Sequence, residues 1–141
     1  EWSCVRDNET GLIWEVKTDD DDTHDKDNEY RWGGAAETAA GEENVYGDWD
    51  ELINGSNGES FCGYNDWRVP TKDELREIVV TENSPTINTD YFPNTLAAWF
   101  WSSSPNASSV SYAWRFSFNI GYDDNYYRSV YYRVRLVRGG Q

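Results

Sequence analysis

Residues Ser111 to Phe118 alternate without a break, with Tyr112, Trp114, Phe116 and Phe118 in one register and Ser111, Ala113, Arg115 and Ser117 in the other. Successive side chains of a strand point to opposite faces, so this pattern predicts a strand with one aromatic, buried face and one polar face. Trp99 to Ser104 predicts strand material just before it. The ending Arg133-Val134-Arg135-Leu136-Val137-Arg138 alternates charged and apolar residues, predicting a further strand with one buried face. These segments commit the second half of the chain to a sheet.

Between those strands the composition changes. Of the 28 residues from Asn106 to Arg133, sixteen are Tyr, Ser, Asn or Asp, the palette of an antibody-like combining surface. Tyr gives a large amphipathic contact with few rotors, and Ser and Asn give adaptable hydrogen bonds. The candidate contact residues are Ser111, Tyr112, Arg115, Ser117, Asn119, Ile120, Tyr122, Asp123, Asp124, Asn125, Tyr126, Tyr127, Ser129, Tyr131 and Tyr132.

The 141 residues make one domain, with eight Trp, ten Tyr and five Phe supplying much of the core. The net charge of -14 is uneven, with 7 basic against 24 acidic residues before Asn106 and 5 against 2 from Asn106 on. An acidic body repels nucleic acid and anionic membranes. The arginines of the C-terminal quarter are expected to pair with the domain's own carboxylates, the alternative being an acidic partner. The sequence has no run of about 18 apolar residues, so no membrane insertion of this domain is expected. It begins at Glu1 without a leader, as a mature or trimmed chain would.

Cys4 and Cys62 are the only cysteines, and His24 is the only histidine, too few for a four-ligand zinc site. A Cys4–Cys62 disulfide, implying an oxidising compartment, is weighed against two separate buried thiols. Thr18 to Glu29 is so dense in Asp and Glu that it predicts a solvated loop carrying an exposed His24. Asx-rich loops can also bind calcium, but the EF-hand template fails, with Asp25 where Gly is required and Arg31 where Glu is required. No metal site and no cofactor are expected.

Thr10 to Val16 predicts an early strand. Gly33 to Glu43 predicts a loop or frayed helix, and Trp49 to Ile53 a short helix capped by Asp48 and stopped by Gly55. Thr71 and Glu74 form a capping box ahead of Leu75, Ile78 and Val79, predicting a helix over 71–80.

Two blocks, Cys62-Gly63-Tyr64-Asn65-Asp66-Trp67-Arg68-Val69-Pro70-Thr71-Lys72-Asp73-Glu74-Leu75 and Trp101-Ser102-Ser103-Ser104-Pro105, resemble the bacterial Legionella collagen-like C-terminal domain family. Thr10 to Trp14, Asn88 to Thr95 and Val134 to Gly140 add to the likeness, in order along nearly the whole chain. The resemblance implies an α+β, C-type-lectin-like fold in which early and late strands pair, with a twisted mixed or antiparallel sheet, one or two helices and long ordered loops. The segment 106–133 also resembles the variable region of diversity-generating retroelement proteins. Template adenines there turn Asn codons into Asp, Ser, Tyr, Ile, Val or Arg. Trp114, Phe116, Phe118 and Gly121 would then be fixed scaffold.

These readings together predict a non-enzymatic binding domain, extracytoplasmic, at a cell surface or secreted, anchored by a segment outside this sequence. Its partner would be a protein or glycan ligand on another cell, phage or host surface. A non-diversified adhesin binding glycans or glycosaminoglycans, with or without calcium, is the alternative. Catalysis lacks a motif, since no serine elbow, phosphate loop or histidine-linked nucleophile is present. Glu74 is accounted for by capping and Asp66 by a turn.

Overall fold

The computed structural model describes residues 2–140. Along the chain run β1 (Cys4–Arg6), β2 (Ile13–Glu15), α1 (Ala35–Ala39), α2 (Asp50–Gly58), a 3-10 turn (Phe61–Gly63), α3 (Lys72–Glu77), β3 (Trp99–Pro105), β4 (Tyr112–Ser117), β5 (Asp123–Tyr127) and β6 (Val137–Arg138). The fold class is α+β. Two antiparallel three-stranded sheets, ordered β1-β2-β6 and β3-β4-β5, replace the single sheet expected.

The first sheet ties the two ends of the chain. Ile13 pairs with Arg138 and Trp14 with Val137, while β1 continues the sheet on the other side of β2. The disulfide Cys4–Cys62 closes a span of 58 residues and fastens β1 to the 3-10 turn. Adjacent residues of β2 face opposite ways. Ile13 packs into a cluster with Trp32, Trp49, Trp67 and Trp101, and Trp14 into a second with Leu75, Ile87, Phe100, Phe116 and Phe118.

α3 begins as its sequence predicts. Thr71 Oγ1 accepts from Glu74 N–H at 3.2 Å, and Thr71 N–H donates to Glu74 Oε1 at 2.9 Å. The helix stops at Glu77, short of Val80, because Val79 leaves to form a bridge with Ile87. α2 departs from expectation in two ways. It runs through Gly55 to Gly58, since burial of Leu52 and Ser56 outweighs the glycine cost, and Asp48 does not cap it. Asp48 instead takes Arg31 in a two-point pair.

The ending 133–138 is corrected as well. Only Val137–Arg138 is strand, and Arg135 is fully buried rather than on a wet face. Its guanidinium donates to Glu15 C=O at 2.5 Å and Thr95 Oγ1 at 2.7 Å, and burial lowers its pKa to about 10. The alternation of Ser111 to Phe118 is only half right. Phe116 and Phe118 are buried, but Tyr112 and Trp114 are half-buried, and Ala113 on the other face is fully buried.

The acidic loop is more built than its charge suggests. Asp25 is 2% exposed, and its carboxylate accepts the N–H groups of Asp20, Asp21 and Asp27. Those bonds hold its pKa low. His24 is not an exposed residue either. Its ring stacks on Phe61, with Nδ1 2.5 Å from Glu15 Oε2 and Nε2 2.8 Å from Glu59 Oε1.

Candidate functional site

The β3-β4-β5 sheet presents two faces that its register identifies. Trp101 pairs with Arg115, Arg115 with Asp124, and Ala113 with Tyr126, so Trp99, Trp101, Ala113, Arg115, Asp124 and Tyr126 share one face. Phe100, Phe116, Trp114, Asp123, Asn125 and Tyr127 share the other. α3 covers part of this second face. Arg76 Nη2 reaches Asp123 Oδ2 at 2.5 Å, and the Lys72 ammonium lies 4.5 Å from the Trp114 ring centre.

At the centre of the first face stands Arg115. Its guanidinium lies 3.7 Å from the Trp99 ring centre, 4.1 Å from that of Tyr126 and 5.1 Å from that of Tyr132. Nε donates to Asp124 Oδ1 at 2.7 Å and Nη1 to the Tyr132 hydroxyl at 2.6 Å. Its side chain is only 11% exposed. Arginine suits such a position because the planar fork can stack on rings and hydrogen bond in its own plane at once. Arg115, expected as a contact residue, thus lies largely beneath the rings of the candidate surface and sets their positions. Tyr132, half-buried against Trp101 at 5.1 Å, is part of the same support, and burial raises its hydroxyl pKa despite the nearby arginine.

Eight candidate residues are exposed: Ser111, Asn119, Ile120, Tyr122, Tyr126, Tyr127, Ser129 and Tyr131. Tyr112, Asp123, Asp124 and Asn125 are half-buried, Tyr112 being stacked edge-on to Tyr127 at 4.8 Å. Asn125 Oδ1 accepts from Asn106 Nδ2 at 2.8 Å. Ser117, also expected as a contact, is 1% exposed. Its hydroxyl accepts the N–H groups of Asn119 and Ile120 and so shapes the β4–β5 turn. In that turn Gly121 has φ +79°, which disfavours any side chain there.

Residues outside the segment complete the surface. Trp99 floors the Arg115 cluster and packs edge-on against Tyr122 at 6.3 Å. Arg31, held by Asp48, lies between the rings of Tyr46 and Tyr131, at 4.8 and 5.3 Å. Nothing local in the sequence marks Tyr46 or Arg31, because the chain returns to them only in three dimensions. Arg128, 1% exposed, fastens the segment to the body through Tyr112 C=O, Glu43 C=O and Glu42 Oε1, with its guanidinium 4.2 Å from the Trp32 ring centre.

A family model described as the Lcl C-terminal domain matches residues 3–138. The chain belongs to that family. A comparison with curated proteins finds no match. The match takes in every element from β1 to β6, and the pairing of early with late strands is compatible with a C-type-lectin-like fold.

In this Lcl C-terminal domain the basic residues of the C-terminal quarter are taken up internally. Arg115 pairs with Asp124, Arg128 with Glu42, Arg133 with Asp27 and Glu29, and Arg138 with Asp66. The surface beside the segment is acidic. A cleft of about 720 Å³ opens next to Tyr131, lined by Asp21, Asp22, Glu29, Asp48 and Glu51. Among the described residues no group of three or more His, Cys, Asp or Glu side chains is gathered as a metal site, and no helix is long and apolar enough to cross a membrane.

Proposed function

We propose that this chain is a non-enzymatic recognition domain that grips a protein ligand through the exposed rings and polar groups of residues 111–132. Membership of the Lcl C-terminal domain family suggests an extracellular binding domain of the adhesin type. The observation that carries the reading is the division of labour within the segment. Phe116, Phe118 and Arg128 are buried, whereas Tyr122, Tyr126, Tyr127 and Tyr131 are between 38 and 55% exposed on a sheet already fixed from behind. Rigid aromatic anchors among adaptable polar groups need little ordering on binding.

The same division suits a diversity-generating retroelement variable protein, since exposed side chains can change while buried ones keep the sheet. The genomic test is a reverse transcriptase gene and a near-copy of the 3′ coding segment that differs at adenines. Absence of both leaves a non-diversified adhesin. The acidic surroundings favour a ligand with basic groups and disfavour sulfated polysaccharides.

For the surface itself, the test is the variant Tyr122→Ala/Tyr126→Ala/Tyr127→Ala/Tyr131→Ala. Adhesion of the purified domain to a panel of bacterial and host cells should be lost, while the melting temperature stays within a few degrees of the parent. Unaltered adhesion would remove the assignment.

A further inference from the structure

Among the described residues β5 (Asp123–Tyr127) is the outer strand of its sheet, with β4 on one side and no strand on the other. The register decides which backbone groups face out. Arg128 N–H donates to Ser111 C=O, and Ser117 N–H to Tyr122 C=O. The bonded pairs of this antiparallel ladder are therefore 111/128, 113/126, 115/124 and 117/122. Tyr122, Asp124 and Tyr126 direct their backbone groups to β4, and Asp123, Asn125 and Tyr127 direct theirs outwards.

Among the described residues the three outward N–H groups, and the carbonyls of Asp123 and Asn125, meet no partner in the protein. Only the Tyr127 carbonyl is taken, by Val130 N–H at 3.2 Å. Natural sheets often blunt such an edge with charged side chains, Pro or a bulge. β5 has no Pro, its two charges are engaged by Arg76 and Arg115, and its register with β4 runs unbroken from Tyr112/Tyr127 to Phe116/Asp123.

Outward-facing residues that recur about every 7 Å, each presenting N–H and C=O groups, match another extended backbone. A second copy of this chain is a poor fit, because it would bring another charge of -14. The geometry points to β5 as a docking edge on which an extended segment of the ligand protein adds as a fourth strand beside β4 and β3. This rests on the proposed protein-binding role. It goes further in separating two contributions: backbone bonds that are the same whatever side chains stand at 123–127, and side chains such as Tyr126 and Tyr127 that choose the partner.

The test uses a phage-displayed library of random ten-residue peptides selected on the purified domain. The leading peptide is then measured by fluorescence anisotropy against the parent, Asn125→Pro and Asn125→Ala. Proline deletes one outward N–H without touching the β4 ladder. Alanine controls for the Asn125 bond to Asn106. Expected are peptides with a two-residue repeat and binding to Asn125→Pro at least tenfold weaker than to Asn125→Ala, which loses the same side chain but keeps the outward N–H.

N-methylation along the peptide should abolish binding at alternate positions and be tolerated at those between. That scan uses the unaltered domain, so it decides the matter even if Asn125→Pro does not fold. Failure to select any peptide, full binding by folded Asn125→Pro, or a scan without alternation would overturn strand addition. Loss of cell adhesion in the tyrosine variant alongside any of these would leave the contact surface standing and remove only the edge.

Discussion

Arg115 serves the candidate surface by being enclosed. Three rings surround its guanidinium, and Asp124 and the Tyr132 hydroxyl accept its hydrogen bonds, so truncation to Ala leaves Asp124 and Tyr132 without their partner and Tyr126 without its support. The expected cost is about 1–3 kcal/mol, from the lost charge-assisted bonds and ring contacts, measured by guanidinium unfolding. Lys should not restore it, because an ammonium cannot bond in a fork and stack together. His24 is the residue whose chemistry titrates. Burial opposes its charge, but Glu15 and Glu59 outweigh this and raise its pKa above the ordinary 6.5. Its stabilisation is therefore complete below about pH 6.5 and lost as pH rises through the folded value. Glu15 behaves in the opposite sense. Burial alone would raise its pKa, yet Lys17 and His24 bring it down to about 2, so its contribution is complete above about pH 4.5 and fades as pH falls towards 2. His24→Gln should flatten the decline in unfolding midpoint on the alkaline side of about pH 6.5, and a decline of parental size in the variant would count against the clamp.

α3 shows an element whose small size makes its ends decisive. It has six residues and supports the second face of β4 and β5 through Arg76 and Lys72, so its capping box matters beyond the helix. Thr71→Ala should cost about 1 kcal/mol, visible as a lower denaturation midpoint. That helix start was legible because all its determinants lie within four residues. The strands β3 and β4 were legible for a similar reason, since a two-residue repeat is local. The exposed tyrosines could be recognised by type, but not the floor beneath them, since Trp99 and Arg115 meet only through strand pairing. Arg135 was misplaced because its partner Glu15 lies 120 positions away, and a charged residue in an alternating run looks wet until that partner is known. His24 was misplaced in the same way, its acidic neighbours suggesting solvent while Glu15 and Phe61 drew it inward. Local pattern located β2, α2, α3, β3 and β4, but not β1 or β5. Long-range pairing of buried charges decided how they were covered.

The whole molecule separates a stapled body from the sheet that carries the candidate surface. β1, β2 and β6 join the chain ends, and the Cys4–Cys62 bridge fixes β1 to the turn that carries Phe61, against which His24 stacks. That sheet meets the body through buried clusters, one holding Phe100, Phe116 and Trp14 and another Trp101 and Ile13, and through Arg128 over Trp32. None of the candidate contact residues touches the disulfide's own elements by strand pairing. Replacing both cysteines by Ser should therefore lower stability by about 4 kcal/mol, the loop-entropy value for a closure of this length, without reshaping the sheet. Calorimetry of the double variant would show a lower melting temperature, matched by the parent after reduction. Adhesion measured well below that temperature should be unchanged, because a stability loss of this size still leaves the sheet folded wherever the body is. A proportional fall in adhesion at low temperature would instead mean that the body's closure sets the geometry of the Tyr-rich face, and the separation of staple from surface would fail.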